Sequence, residues 1–216
     1  MLTTETFATF IANYARRLAD LQETLNTLDN NIGDGDHGTN MARGFKAAAE
    51  QLAAKPATDV GGACNTVGMA LLGSVGGASG PLYATVFMRF ATAWKGMTSV
   101  DATNFAAGIA AALEGLQTRG KADVGDKTMI DVWHPVNQTL QNVRETTTLQ
   151  AIVETADTAA LATKQRIAKK GRAAYLGERS AGHCDPGSIS SAVLFEELVD
   201  ATIGGVERKP WPKLAL

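Results

Sequence analysis

The chain has 216 residues, a net charge of −2, and 45% hydrophobic against 19% charged residues. Those values describe one globular domain long enough to bury a sizeable core, and they exclude a disordered chain or a general nucleic-acid binder, which needs many unpaired Lys and Arg to displace counterions. Aromatics are only 6% beside 36 alanines and 22 glycines, so a core of small side chains with closely approaching helices is expected and an aromatic-rich β-sandwich is not.

In chain order, Phe7, Phe10, Ile11, Tyr14, Leu18, Leu21, Leu25 and Leu28 recur every three or four residues, and no Gly or Pro interrupts 4–28. This predicts one long amphipathic helix. DNNIGDGDHG (29–38) reads as a loop, and 39–54 returns to helix through Met41, Phe45, Ala48 and Leu52. Asp59 is placed to cap a helix over 60–73. GSVGGASGP (73–81) is a second loop, followed by helix over 82–95, and Asp101 can cap another through Leu116. TRGKADVGDKT (118–128) is a third loop. Helix is expected over 129–145, kinked or started late by Pro135. It is expected again over 149–170, then a fourth loop (171–188), a last helix over about 189–203, and an extended tail over about 205–216. Strand signals are nearly absent, so the expectation is a single all-α domain, 1–216, of about eight helices, with the informative loops at one end.

No apolar run reaches the ~18 residues of a membrane span, and the start MLTTETFATF lacks the basic and apolar regions of a signal peptide. Cys64 and Cys184 are isolated, which points to a reducing, cytoplasmic setting.

The strongest chemical signal is Asp29, Asp34 and Asp36, followed by His37 and Asn40. Three carboxylates so close repel one another unless a cation lies among them, and their hard oxygens favour Mg²⁺ or Ca²⁺ over zinc. An EF-hand fails: counted from Asp34 its twelfth position is Phe45, and counted from Asp29 its sixth is Asp34 where Gly is needed. Three aspartates suit two Mg²⁺ ions, whose +4 against −3 would draw a polyphosphate. The competing explanation is a helix-capping turn, which needs one Asp and not three. A lone His such as His37 is as often a hydrogen-bonded loop residue as a ligand. GSVGGASGP can offer backbone N–H groups to phosphate or simply pack helices closely; it has no Lys and fits neither GxxxxGK[ST] nor GxGxxG. KQRIAKKGR (164–172) suits a solvated helix C-terminus, with Arg172 free to turn onto a phosphate, and Asp185-Pro186-Gly187 reads as a rigid turn.

LDNNIGDGDHGTNMARGF (28–45), GGASGPLY (76–83), GDKTMIDVW (125–133) and GRAAYLGERSAGHCDPGS (171–188) together resemble the nucleotide-binding L subunits of dihydroxyacetone kinases, in that family's order and over nearly the whole chain. The resemblance implies an antiparallel eight-helix barrel with ADP or ATP bound by loops at one end. It implies two Mg²⁺ on Asp29, Asp34 and Asp36, with His37, Gly38, Thr39, Asn40, Ala78 and Ser79 at the phosphates or metals. Gly120 and Met129 would line the adenine, Arg172 the phosphate end, and Asp185, Pro186 and Gly187 the nucleoside. It supplies no catalytic base from this chain; a dihydroxyacetone-binding K subunit would bring that. The implied phosphoryl donor is a phosphohistidine protein of the sugar phosphotransferase system acting on a resident ADP, with exchangeable ATP and a related sugar as the alternative. A further implied association is a transcription factor, which the ADP-loaded subunit would co-regulate; a homodimer is a separate expectation that the resemblance does not carry.

Overall fold

The computed structural model describes residues 1–142 and 147–216. Two short strands, β1 (Leu2–Thr3) and β2 (Ser99–Val100), pair antiparallel with Leu2 opposite Val100. The rest is helical: α1 (Thr4–Asp20), α2 (Gln22–Ile32), α3 (His37–Ala54), α4 (Val60–Ser74), α5 (Ser79–Ala93), α6 (Ala102–Gly120), α7 (Ile130–Asn142), α8 (Thr147–Ala162), α9 (Pro186–Ile203) and α10 (Trp211–Leu214), with 3-10 segments at Thr163–Gln165 and Arg172–Ser180.

Successive helices pack side by side: α1 on α3, then α3 on α4, α5, α6, α7, α8 and α9 in turn, and α9 returns to α1. The starts follow the expected caps. Asp59 accepts from Gly62 N and Asp101 from Asn104 N, each satisfying an orphan N–H of a first turn. Small residues permit close approach, as expected: a Cβ on Gly108 would lie 2.5 Å from Trp94 Cζ2. The few aromatics are concentrated inside. Phe10, Tyr14, Phe45, Phe87, Phe90, Trp94 and Trp133 form a chain of ring contacts, and Tyr175 is exposed at 90%.

Several sequence expectations are corrected. The long helix of 4–28 breaks at Leu21, whose φ/ψ of −96°/4° are not helical, and α2 then runs on to Ile32, so Asp29 is a helical residue and not part of a loop. Gly120 ends α6 and likewise leaves the predicted loop. Pro135 imposes no late start: α7 begins at Ile130 with the proline inside it. The predicted end of that helix, 143–145, lies outside the described residues. The 149–170 helix stops at Ala162, so the basic stretch after it is largely an irregular loop and not a helix C-terminus. Asp185-Pro186-Gly187 is a helix start, with Asp185 the N-cap and Pro186 in the first turn, where its missing N–H costs nothing.

The tail is not an extended arm. α9 is buried on nearly all sides, with α1, α2, α7 and α8 packed around it and the tail folded back over its second half. Arg208 grips Glu197 through Nε at 2.5 Å and a second nitrogen at 2.8 Å, and also reaches Asp200 at 2.9 Å; Trp211 is fully buried with its indole donating to Glu196 at 3.1 Å. Among the described residues no helix is long and apolar enough to cross a membrane.

Candidate functional site

The loops 33–36, 75–78 and 121–129, the segment 163–185 and the starts of α3, α5 and α9 frame one open cleft. Asp29, Asp34 and Asp36 form its acidic end. One carboxylate oxygen from each lies within 4.8 Å of the others. Their local roles differ. Asp29, on the last turn of α2, does the capping for α3: its Oδ2 accepts from Asp36 N at 2.9 Å and His37 N at 3.2 Å. A Cβ on Gly33 would collide with Asp29 Oδ1, so any larger residue where the chain leaves α2 displaces the Asp29 carboxylate. Asp36 holds the N-cap position yet makes no capping bond, which leaves its carboxylate available. Asp34 pairs with Arg172 at 2.7 Å. Burial raises the Asp29 pKa, the two N–H donors oppose the rise, and the neighbouring Asp34 and Asp36 add to it.

His37 is buried and held on both ring nitrogens, by Ser79 Oγ at 3.0 Å on Nδ1 and Ser190 Oγ at 2.9 Å on Nε2. Burial pushes its pKa down to about 4, against the pull of Asp36, so the ring is neutral at physiological pH. Ala78, Ser79, Met129, Arg172, Asp185, Pro186 and Gly187 all line the cleft with the three aspartates and His37. Asp185 Oδ2 caps α9 through Ser188 N at 2.7 Å, and burial pushes its pKa up to about 7.

Four expected residues stand back from this surface. Thr39 bonds to Asn26 through both its N–H (3.0 Å) and its hydroxyl (2.9 Å), so its side chain pins α3 to α2. Asn40 Oδ1 accepts from Arg43 at 2.6 Å. Gly38 is buried beneath the start of α3 against the Gln22 carbonyl, and Gly120 lies behind the cleft-lining Leu82.

Lys127 also lines the cleft, and nothing in the sequence singled it out. Its side chain is 1% exposed, and Nζ donates to the carbonyls of Arg166 (3.0 Å), Ser180 (2.6 Å) and His183 (2.6 Å). Burial lowers its pKa. Its φ of +61° is a left-handed conformation rare for a side-chain-bearing residue. Asp131 organises the same loop, accepting from Gly125 N at 2.5 Å, Thr128 N at 2.9 Å and the Arg166 guanidinium. The only local signal was a Lys amid turn residues in GDKTMIDVW; its three acceptors lie 39 to 56 residues away.

Fold and cleft define the class: a helical protein whose loops bring an acidic cluster, glycine-rich backbone and an arginine to one small-molecule site. The chain belongs to the DAK2 domain family, whose model matches residues 31–200. It is 43% identical to the ADP-binding subunit DhaL of the PEP-dependent dihydroxyacetone kinase of Escherichia coli, over 88% of this chain and 95% of that one. It is 41% identical to the corresponding subunit of kinase 1 of Listeria innocua, over 90% and 94%. It superposes with a TM-score of 0.70 and 27% identity on the crystal structure of the C. freundii dihydroxyacetone kinase in complex with AMP-PNP and Mg²⁺, covering 89% of this chain but only 33% of that longer one.

Proposed function

We propose that this chain is the nucleotide-binding subunit of a dihydroxyacetone kinase and that its cleft holds ADP or ATP with two Mg²⁺ ions. The observation that carries this is the convergence of Asp29, Asp34 and Asp36 at the end of a cleft also lined by Ser79, Arg172 and the start of α9. The donor set fits the metal: all are hard oxygens, Asp36 is free of capping, and Asp29 keeps one oxygen beyond the one that caps α3. Bound Mg²⁺ supplies charge neutralisation for the phosphates during displacement at phosphorus.

The chain's own groups bind and orient. The N–H groups of 76–79 and the Ser79 hydroxyl face phosphate oxygens, and Arg172 exchanges Asp34 for phosphate. Met129 and Asp185 to Gly187 enclose the nucleoside, with Gly120 backing the wall behind Leu82. Gly38, Thr39 and Asn40 form the first turn of α3 at the phosphates or metals, and the Thr39 and Asn40 side chains hold that turn in place. The ring of side-by-side helices supports an antiparallel eight-helix barrel, with α1 and α2 as one bent member and α10 outside it.

The resident nucleotide would supply the group-transfer chemistry: ADP would take a phosphoryl group from a phosphohistidine of a phosphotransferase-system protein, freeing that histidine, and would hand it to a hydroxyl of dihydroxyacetone on the K subunit. The hydroxyl proton goes to a base there, since His37 is committed on both nitrogens. The near full-length match to ADP-binding subunits supports this relay and a cytoplasmic location. A second reading, ATP exchange with a related sugar as acceptor, is favoured by 34% identity to the D-erythrulose kinase of Mycolicibacterium smegmatis, of which the chain spans 33%. Transcription-factor co-regulation and homodimer formation gain no support from the relatives.

The test mixes the purified chain with a K subunit and dihydroxyacetone, giving either ATP or the phosphotransferase relay as donor. Product from the relay with ADP retained on the chain is expected. Product from ATP alone moves the assignment to the second reading, and no product with either donor, from a chain that takes up no Mg-ADP, overturns the proposal.

A further inference from the structure

From the cleft wall at Ser79, His37 and Tyr83 a line of hydrogen-bonding groups runs inward to Ser190, Ser191 and Trp133, and the kinase reading leaves its proton order open. Trp133 Nε1 lies 3.1 Å from Ser191 Oγ; Ser191 Oγ is 3.1 Å from the Tyr83 hydroxyl; that hydroxyl is 2.7 Å from Ser190 Oγ; Ser190 Oγ is 2.9 Å from His37 Nε2; and His37 Nδ1 is 3.0 Å from Ser79 Oγ. Trp133, Ser191, Tyr83, Ser190 and His37 are all buried, and Ser79 opens on the cleft. Each hydroxyl has one proton, so the direction of one bond constrains the next. The indole N–H can only donate, so Ser191 accepts there, and the Tyr83 oxygen is the other polar partner within reach of its hydroxyl and takes its proton. Tyr83 then donates to its nearer neighbour Ser190, and Ser190 to His37 Nε2, leaving the imidazole proton on Nδ1, from which Ser79 Oγ accepts. The Tyr14 hydroxyl also adjoins that of Tyr83, but it gives its own proton to the Ser190 carbonyl at 2.9 Å and so feeds none into this order. One proton is then left over at the cleft end, on the Ser79 hydroxyl.

We propose that Trp133, Ser191, Tyr83, Ser190 and His37 are positioning residues that preset the Ser79 hydroxyl as a hydrogen-bond donor to an anionic phosphate group in the cleft. The inference rests on the Mg-nucleotide reading of that cleft. The opposite order is available: Ser190 Oγ also lies 3.1 Å from the Gly187 carbonyl. If Ser190 donated there, Nε2 would carry the imidazole proton and Nδ1 would take the proton of Ser79, turning bare lone pairs toward phosphate. The shorter contact and the better acceptor both favour His37 Nε2.

Nitrogen-15 NMR of histidine-labelled protein reads the tautomer directly. His37 is one of three histidines, so His134→Gln and His183→Gln complete the assignment. The expected wild-type spectrum, without nucleotide, shows the proton on Nδ1; a proton on Nε2 or on both nitrogens overturns the proposal. Tyr83→Phe keeps the ring and removes one hydroxyl. It should move the proton to Nε2 and weaken Mg-ADP about tenfold, an effect of one charge-assisted hydrogen bond. In a Ser79→Ala background the same change should add less than about twofold, because coupled residues are not additive. Multiplicative losses would reduce Tyr83 to general packing and sink the inference. Should wild type bind no Mg-ADP by calorimetry, the nucleotide reading falls, while the nitrogen spectrum still decides the order of the chain.

Discussion

Replacing Lys127 with Met tests how the rim of the cleft is held. The ammonium donates to three carbonyls at 2.6 to 3.0 Å, one ending the last 3-10 segment (Ser180) and one between it and α9 (His183). Hydrogen bonds from a charged donor contribute about 1.5–3 kcal/mol each, so three give roughly 4.5–9 kcal/mol before costs. Burying the ammonium offsets several kcal/mol of that, and the lowered pKa is the mark of the cost. Met occupies the space of the stem, so little cavity opens, but three carbonyls lose their donor. The net loss is about 3 kcal/mol. A chain of this length loses about 2–4 °C of Tm per kcal/mol, which gives a fall of roughly 6–12 °C. Thr128 and Met129 follow Lys127 along the cleft wall, so Mg-ADP affinity should fall about tenfold, the equivalent of 1.4 kcal/mol of wall misplacement. Thermal melts by circular dichroism and titration calorimetry check both numbers. A Tm within about 2 °C of wild type together with an unchanged Kd would refute the account of Lys127 as the rim's anchor.

Other outcomes follow from the same geometry. Asp34→Ala should abolish Mg-dependent ADP retention in gel filtration while leaving the helical circular dichroism intact; retained tight binding would remove the metal assignment. Asp157 is buried with neither oxygen hydrogen-bonded, and burial pushes its pKa from 3.8 up to about 7, with Glu154 adding and Lys209 opposing. The folded state therefore binds more protons than the unfolded one between about pH 4 and 7, and stability falls as pH rises through that window. Asp157→Asn should raise Tm at pH 8, with the gain shrinking toward pH 4; a constant gain would contradict that sign. Arg208→Ala strands Glu197, buried beneath the tail, and should cost about 3 kcal/mol, the lower end for a broken buried pair because Arg208 is itself partly exposed. A urea melt showing under about 1 kcal/mol would mean the tail is held by Trp211 and its backbone contacts rather than by Arg208.

Much of the helical content was legible because its cause is local. Apolar residues at three- and four-residue spacing, Asp59 and Asp101 as caps, and glycine clusters between them act within a few residues, and the helices start where those signals lie. The aspartate cluster was legible for the same reason: Asp29, Asp34 and Asp36 are eight residues from first to last, so one turn of chain brings them together. What failed were inferences about where local signals yield to distant partners. The break at Leu21 leaves no Gly or Pro to announce it, and the basic stretch abandons its helix where Arg166 turns to Asp131.

The sequence by itself determined an all-helical chain with an acidic, glycine-flanked site near its amino end, because periodicity, capping and charge crowding are short-range properties. Only the tertiary structure decided which groups face that site. It set Thr39 against Asn26, held His37 between Ser79 and Ser190, brought Lys127 to carbonyls far along the chain, and folded the tail over α9. Those choices depend on burial: a polar group withdrawn from water must find a partner wherever the packed chain offers one, and no local pattern encodes that distance.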